Sequence, residues 1–173
     1  MAGGLSEKAN PPELDIALVE GSISTHADEQ KLKAIRERAQ VLVALGACAH
    51  TGGLNALKNR YGMNQVKQMV YGEAGAQFDT IPARPLSAVV PVDLFLPGCP
   101  IDRTEFLSMV RDVALGKVPR LPDYPLCVEC KKKENVCVFF QGRFCMGPVV
   151  RAGCGAICPT HGDGCEGCRG LVS

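Results

Sequence analysis

Apolar and polar positions alternate in blocks along the first two thirds of the chain, and the blocks have in turn the lengths of strands and of helices. Residues 15–20, Asp-Ile-Ala-Leu-Val-Glu, form a short apolar run that stops at Gly21. Residues 41–45, Val-Leu-Val-Ala-Leu, form a second that ends in Gly46, Ala47 and Cys48. Short apolar runs closed by glycine read as buried parallel strands. Between them residues 28–40 are polar and helix-forming, with Leu32, Ile35 and Ala39 on one face and Asp28 and Glu29 near the start, where carboxylates suit the positive helix end. A third strand is predicted over residues 87–93, after which Leu94, Phe95 and Leu96 lead into Pro97, Gly98, Cys99 and Pro100. Residues 104–115 predict a helix closed by Gly116. Residues 54–69 predict another, entered through Gly52 and Gly53, with Leu54, Leu57 and Val66 near helical spacing. Strand, helix, strand in this order predicts an α/β layer structure with a parallel sheet.

The pattern fails from residue 117 onward. Pro119, Pro122 and Pro125 make a stiff linker, and beyond them cysteine and glycine replace long apolar runs. The chain therefore divides into residues 1–118, an α/β domain, and residues 119–173, an irregular one. About 50 residues with so little to bury need disulfides or metal to hold them.

Composition narrows the chemistry. The 173 residues are 46% hydrophobic and 21% charged, as in a globular protein, and 19 basic against 18 acidic side chains leave a net charge of +1. No basic run exceeds Lys131, Lys132 and Lys133, which argues against a nucleic-acid partner. No apolar stretch approaches the roughly 18 residues of a membrane span, and the first residues lack the apolar core of a signal peptide, so a cytoplasmic location is expected. The distinctive feature is ten cysteines, of which only Cys48 and Cys99 precede residue 127.

Cys48 and Cys99 each follow an apolar run, in glycine- and proline-bearing turns, which places both thiols beyond the carboxyl ends of strands, where α/β proteins bind ligands. A lone cysteine is as readily a small buried hydrophobe. His50 reads as a donor to such a site or as an ordinary loop residue. The other eight thiols are Cys127, Cys130, Cys137, Cys145, Cys154, Cys158, Cys165 and Cys168, and they group as two quartets. Disulfides suit secreted domains and are disfavoured without a secretory signal. Two structural zinc sites fit the paired spacings, and two iron–sulfur clusters fit them better, because closely spaced cysteines with intervening glycine and proline wrap a cubane and offer amides to its sulfurs. Spacing alone leaves zinc open.

Residues 15–21, residues 44–53 around Cys48, Leu96 to Pro100, Cys145 to Pro148 and Arg151 to Pro159 together resemble the small, electron-transferring subunit of nickel–iron hydrogenases, in its soluble cytoplasmic branch that includes sulfhydrogenases and NAD(P)-linked enzymes. The resemblance implies a flavodoxin-like domain with a proximal cluster, followed by a domain with a medial and a distal cluster. It implies Cys127, Cys130, Cys137 and Cys145 as distal ligands, Cys127 standing where many periplasmic relatives have histidine. It implies Cys154, Cys165 and Cys168 as medial ligands, with Cys158 supplying a fourth thiolate where relatives with a three-iron cluster have proline. Both C-terminal clusters are then 4Fe-4S. Cys48 and Cys99 match the third and fourth proximal ligands. The family's first strand and its Cys-x-x-Cys loop have no counterpart before Asp15, so the flavodoxin-like sheet is expected to be short at its N-terminal side, with uncovered strand edges and a proximal cluster only where further ligands are supplied.

The chain carries no evident nucleophile, acid–base pair or phosphate loop, so it reads as a wire whose catalysis belongs to a partner. The implied partners are a large subunit with the nickel–iron centre and a flavin or iron–sulfur acceptor subunit. The charged stretch from Glu129 to Glu134 reads equally as a docking guide or as solvated surface. Two other functions stand beside this one: a non-catalytic zinc or iron–sulfur assembly module, and a subunit related to the quinone-reductase complex, whose family lacks the eight-cysteine tail.

Overall fold

A computed structural model describes residues 13–173. These fall into two compact units that part between Phe95 and Leu96.

The first unit is built on β1 (Leu14–Glu20), α1 (His26–Arg38) and β2 (Ala39–Leu45). The strands run parallel and pair directly, Leu14 opposite Ala39 through Glu20 opposite Leu45, in a three-stranded sheet with β2 in the middle. Among the described residues β1 stands at the edge of this sheet. Apolar surface lies open on one side of β1, where Ile16 is 36% and Leu18 44% exposed. β1 is thus half-buried rather than fully buried as its run suggested, whereas β2 buries Leu42, Val43 and Ala44 almost completely.

The helix between the strands has the ends its sequence calls for. Thr25 caps α1 by accepting the Asp28 N–H at 3.0 Å, Asp28 and Glu29 occupy the first turn, and Arg36 and Arg38 the last. Leu32 buries its side chain among Ala17, Val19, Leu42 and Leu86. At the other end the Arg36 guanidinium reaches the Ala39 carbonyl and the Asp93 carboxylate, each at 2.5 Å.

Two predicted elements fall elsewhere. Residues 87–93 do not form a strand. Leu86–Ala88 is a 3-10 turn, the Val89 and Val90 amides are both spent on the Leu86 carbonyl at 3.0 Å, and Pro91 brings no N–H to a sheet. The third strand, β3 (Leu94–Leu96), starts where the Asp93 N–H reaches the Leu42 carbonyl and its carboxylate accepts the Leu42 N–H at 2.7 Å. Residues 54–69 are not one helix. After α2 (Gly46–Thr51), a 3-10 segment covers Gly53–Arg60, the chain turns extended at Tyr61, and α3 (Met63–Tyr71) begins after Gly62. Leu54 and Leu57 stand 69% and 55% exposed, so the apolar face that suggested a continuous helix has nothing to pack on.

In the second unit, α4 (Arg103–Ala114) is capped by Asp102, which accepts the Glu105 N–H at 2.8 Å. Past the prolines only α5 (Cys127–Lys132), a 3-10 turn at Val138–Gln141 and α6 (Ile157–Thr160) are regular. Isolated bridges, Pro125 with Arg151 and Val150 with Leu171, tie the turns. The buried cluster here is Leu126, Val150, Ala156 and Cys165, against which Cys130, Cys145, Met146 and Cys154 pack. Half of this cluster is cysteine.

Candidate metal centres

All ten thiols are unbridged, which sets the disulfide reading aside for this structure. The eight C-terminal ones lie in two stretches, Cys127 to Cys145 and Cys154 to Cys168, to which the two expected quartets are assigned, and the Cys165 N–H reaches the Cys145 sulfur between them.

In the first quartet, Cys127 and Cys130 lie three residues apart on one face of α5, Cys137 opens the 3-10 turn and Cys145 follows it. Burial pushes the Cys127 thiol up, and the nearby sulfurs of Cys145, Cys130 and Cys137 add to the effect in that order. Donors are already aimed at these sulfurs. Cys145 Sγ accepts the backbone N–H of Gly147 at 3.4 Å and of Cys165 at 3.2 Å, and Cys130 Sγ accepts the Asn135 side-chain amide at 3.5 Å. Gly147 also leaves room, since a Cβ there would stand 3.3 Å from the Cys145 sulfur and 3.4 Å from that of Cys127.

In the second quartet, Cys154 precedes α6, Cys158 lies in its first turn, and Cys165 and Cys168 follow in the loop. Burial pushes the Cys165 thiol up to about 11, with a smaller opposing pull from the Gly167 N–H. Burial also raises Cys168, against a lowering pull from the Cys99 backbone, and the sulfurs of Cys154, Cys158 and Cys99 add to the rise in that order. Cys158 is raised by burial first, then by Cys154, Glu166 and Asp163. Thiols held neutral in this way must shed protons to become ligands, so metal uptake and proton release are coupled.

Among the described residues no three His, Cys, Asp or Glu side chains converge as one ion requires. A tetrahedral zinc with Zn–S bonds of about 2.3 Å draws its sulfurs to within about 4 Å of one another, whereas a cubane takes one thiolate at each of four irons and leaves them wider apart. Four-thiolate sets, amides directed at sulfur and a glycine where a side chain would intrude fit a group of the second kind.

Sequence reasoning missed the residues that brace these sites. Glu129, placed among surface charges by its neighbours, turns inward, and its carboxylate accepts the N–H of Gly153 at 2.9 Å and of Ala156 at 3.2 Å, fixing the turn that carries Cys154. Only Lys131, Lys132, Lys133 and Glu134 of that stretch stay exposed. Asn135 joins Cys130 to Thr160 of α6, 3.1 Å from its hydroxyl. The position of Glu129 between the two cysteines of a Cys-x-x-Cys pair was the available signal.

Cys48 follows β2 as expected, in α2 rather than in a loop, and Gly53 is forced to be glycine there: its φ is +53° and a Cβ would stand 2.7 Å from the Cys48 sulfur. His50 stacks on Phe95 with ring centroids 4.1 Å apart. Cys99 lies exposed in the turn after β3.

The family model described as NADH ubiquinone oxidoreductase, 20 Kd subunit, matches residues 3–113. The sulfhydrogenase 2 subunit delta of Pyrococcus furiosus is 39% identical over 95% of this chain and 69% of its own length. A subunit of the F420-non-reducing vhu hydrogenase of Methanococcus voltae is 34% identical over 92% of this chain and 66% of its own. The chain thus spans about two thirds of the length of these relatives. A chain of an NAD+-reducing nickel–iron hydrogenase in the H2-reduced state superposes with a TM-score of 0.59 at 30% identity, covering 68% of this chain and 74% of that one. An actinobacterial-type nickel–iron hydrogenase from Ralstonia eutropha, 16% identical with a TM-score of 0.59 over 89% of this chain and 57% of that one, shares the fold.

Proposed function

The chain belongs to the NADH ubiquinone oxidoreductase 20 Kd subunit family, and from that membership we propose that it is the iron–sulfur electron-relay subunit of a nickel–iron hydrogenase, carrying no hydrogen-splitting centre of its own. The observation that carries the reading is the pair of cysteine quartets, linked where the Cys165 N–H meets the Cys145 sulfur at 3.2 Å. The family match stops at residue 113, before the eight-cysteine tail, whereas the alignments with hydrogenase subunits cover 92% and 95% of the chain. That coverage favours a hydrogenase over a quinone-reductase subunit.

Cys127, Cys130, Cys137 and Cys145 hold a distal 4Fe-4S cluster, and Cys154, Cys158, Cys165 and Cys168 a medial one. When bound, each cluster supplies a one-electron couple. The chain supplies the rest. Eight thiolates fix the positions, Leu126, Val150 and Ala156 exclude water, and the amides of Gly147, Cys165 and Asn135 stabilise negative charge on sulfur. Cys48 and Cys99 are assigned to a proximal cluster on the resemblance of their motifs alone, with the remaining ligands supplied from elsewhere.

The partners are a large subunit with the nickel–iron centre and an acceptor subunit carrying flavin or iron–sulfur groups. The acceptor docks beside Cys137, where Val136, Phe139, Phe140 and Phe144 stand between 50% and 88% exposed next to Lys131, Lys132 and Lys133. No helix among the described residues is long and apolar enough to cross a membrane. Cytoplasmic placement is part of the same proposal.

The test is H2 itself. In the copurified assembly, H2 is expected to bleach the iron–sulfur absorbance of this chain, and Cys145→Ser, which removes a distal ligand, is expected to cut H2-driven reduction of the acceptor at least tenfold while the large subunit still exchanges H2 with solvent protons. Undiminished acceptor reduction in that variant would contradict the relay role.

A further inference from the structure

Glu129 stands in α5 between Cys127 and Cys130, and its side chain reaches across to the stretch that carries the second quartet. Oε1 accepts the Gly153 N–H at 2.9 Å and Oε2 the Ala156 N–H at 3.2 Å, so both oxygens act as acceptors, as in an ionised carboxylate. The two amides flank Cys154. Their turn needs a hold, since Gly153 and Gly155 have φ of +117° and +63° and Ala156, which is not a glycine, has +51°. One side chain from the first quartet therefore sets the backbone of the second.

The charge on Glu129 is not offset as buried charges usually are. Glu105 shows the contrast: its carboxylate is met by the Arg169 guanidinium, itself 1% exposed, at 3.0 and 2.7 Å, and the two charges compensate each other. Glu129 is half-buried, and its two bonds go to neutral amides. Lys133, one turn along, brings its ammonium to where a Cβ on Gly155 would stand 3.4 Å away, but it is exposed and screened by solvent. A negative charge beside a cluster disfavours its reduced, more negative state and so lowers its potential.

We propose that the Glu129 carboxylate is a fixed charge shared by the two C-terminal sites: rooted in the helix that carries Cys127 and Cys130 and bonded across the Cys154 turn, it lowers the reduction potentials of both together, so that neither becomes a sink for the passing electron. The inference rests on the reading of the two quartets as cluster ligands.

Glu129→Gln in the cluster-loaded full chain removes the charge and keeps the size. In an EPR-monitored redox titration, the reduced-to-oxidised ratio at fixed potential is expected to rise about tenfold at each site, ~59 mV for one electron, with iron content unchanged. Glu129→Asp keeps the charge and loosens the two hydrogen bonds, and both midpoints are expected to stay as in the unmodified chain. A midpoint that stays in place at either site in Glu129→Gln, at full iron content, overturns the proposal. So does an equal rise in Glu129→Asp, which would trace the effect to the turn and not to the charge. Where Glu129→Gln loses iron, because its NH2 opposes the Ala156 N–H, Glu129→Ala carries the test: it lets water reach both amides, the charge is still absent, and the same rise is expected. Loss of iron from both neutral variants assigns the carboxylate to holding the turn and overturns its role in the potentials. An unmodified chain without two iron–sulfur signals would refute the cluster reading itself, which keeps the two failures apart.

Discussion

Removing iron from the full chain is expected to unfold the region beyond Pro119 and to leave the β1, α1, β2 layer folded. The reason lies in what each part buries. The layer packs Leu32, Leu42, Leu86, Val90 and their neighbours around a parallel sheet with no help from sulfur. The C-terminal region buries Leu126, Val150 and Ala156, and the rest of its cluster is Met146 and four cysteines. Its regular structure is two helices of six and four residues and a four-residue 3-10 turn, too short to persist alone. Without metal, thiols raised by burial and by one another give these turns no common anchor. Binding energy at such a site is folding energy, ~10 kcal/mol or more where the group is a structural zinc ion in a small peptide. Hydrogen exchange reads the outcome directly. Amide protection at Leu126, Met146 and Arg151, which bond to Val150, Cys165 and Gly170, is expected to fall at least ~100-fold on chelation, while Leu42 keeps its protection. A metal-free tail that still protects those three amides would contradict the coupling of folding to metal.

Cys158→Pro is expected to convert the second site from a four-iron to a three-iron form and to leave the first untouched. Cys158 is exposed and sits in the first turn of α6, where an amide has no carbonyl four residues back, so proline fits the backbone without breaking a helical bond. What the substitution removes is one thiolate of four. The iron that loses its ligand is expected to leave, lowering the chain's iron by about one and producing the EPR signal of an oxidised three-iron cluster with a higher potential. The distal spectrum is expected to stay unchanged, because Cys158 takes no part in the bonds made to Cys130 and Cys145. An unchanged medial spectrum in the variant would remove Cys158 from the ligand set.

The parts of the fold that were legible in the sequence are those whose cause is local. Glycine-bounded apolar runs gave β1 and β2 with their parallel pairing, and Asp28 and Glu29 at the start of residues 28–40 marked α1, although Ala39 and Gln40 open β2 instead of closing the helix. The cysteine spacings suggest two quartets, since a loop that returns to one cluster must do so within a few residues. What was hidden depends on tertiary partners. Nothing near Ser87 reveals that Leu86 will take the amides of Val89 and Val90 into a turn and delay β3 to Leu94. The helical spacing of Leu54, Leu57 and Val66 was real, yet no partner surface covers Leu54 and Leu57, and Gly62 breaks the run. Arg169 and Glu105 are 64 residues apart in sequence, and neither type is expected inside a core until the other is in place. Glu129 was misplaced for a similar reason, because three lysines beside it suggested solvent while its carboxylate caps the Cys154 turn.

The central claim is that the eight C-terminal thiols hold two four-iron clusters, and iron and acid-labile sulfide counted per chain, on anaerobically purified full-length protein, test it most directly. The account gives about eight irons and about eight sulfides for the chain alone, and about four more of each once the hydrogenase assembly supplies the remaining ligands beside Cys48 and Cys99. A colourless chain carrying about two zinc ions and no sulfide would contradict it.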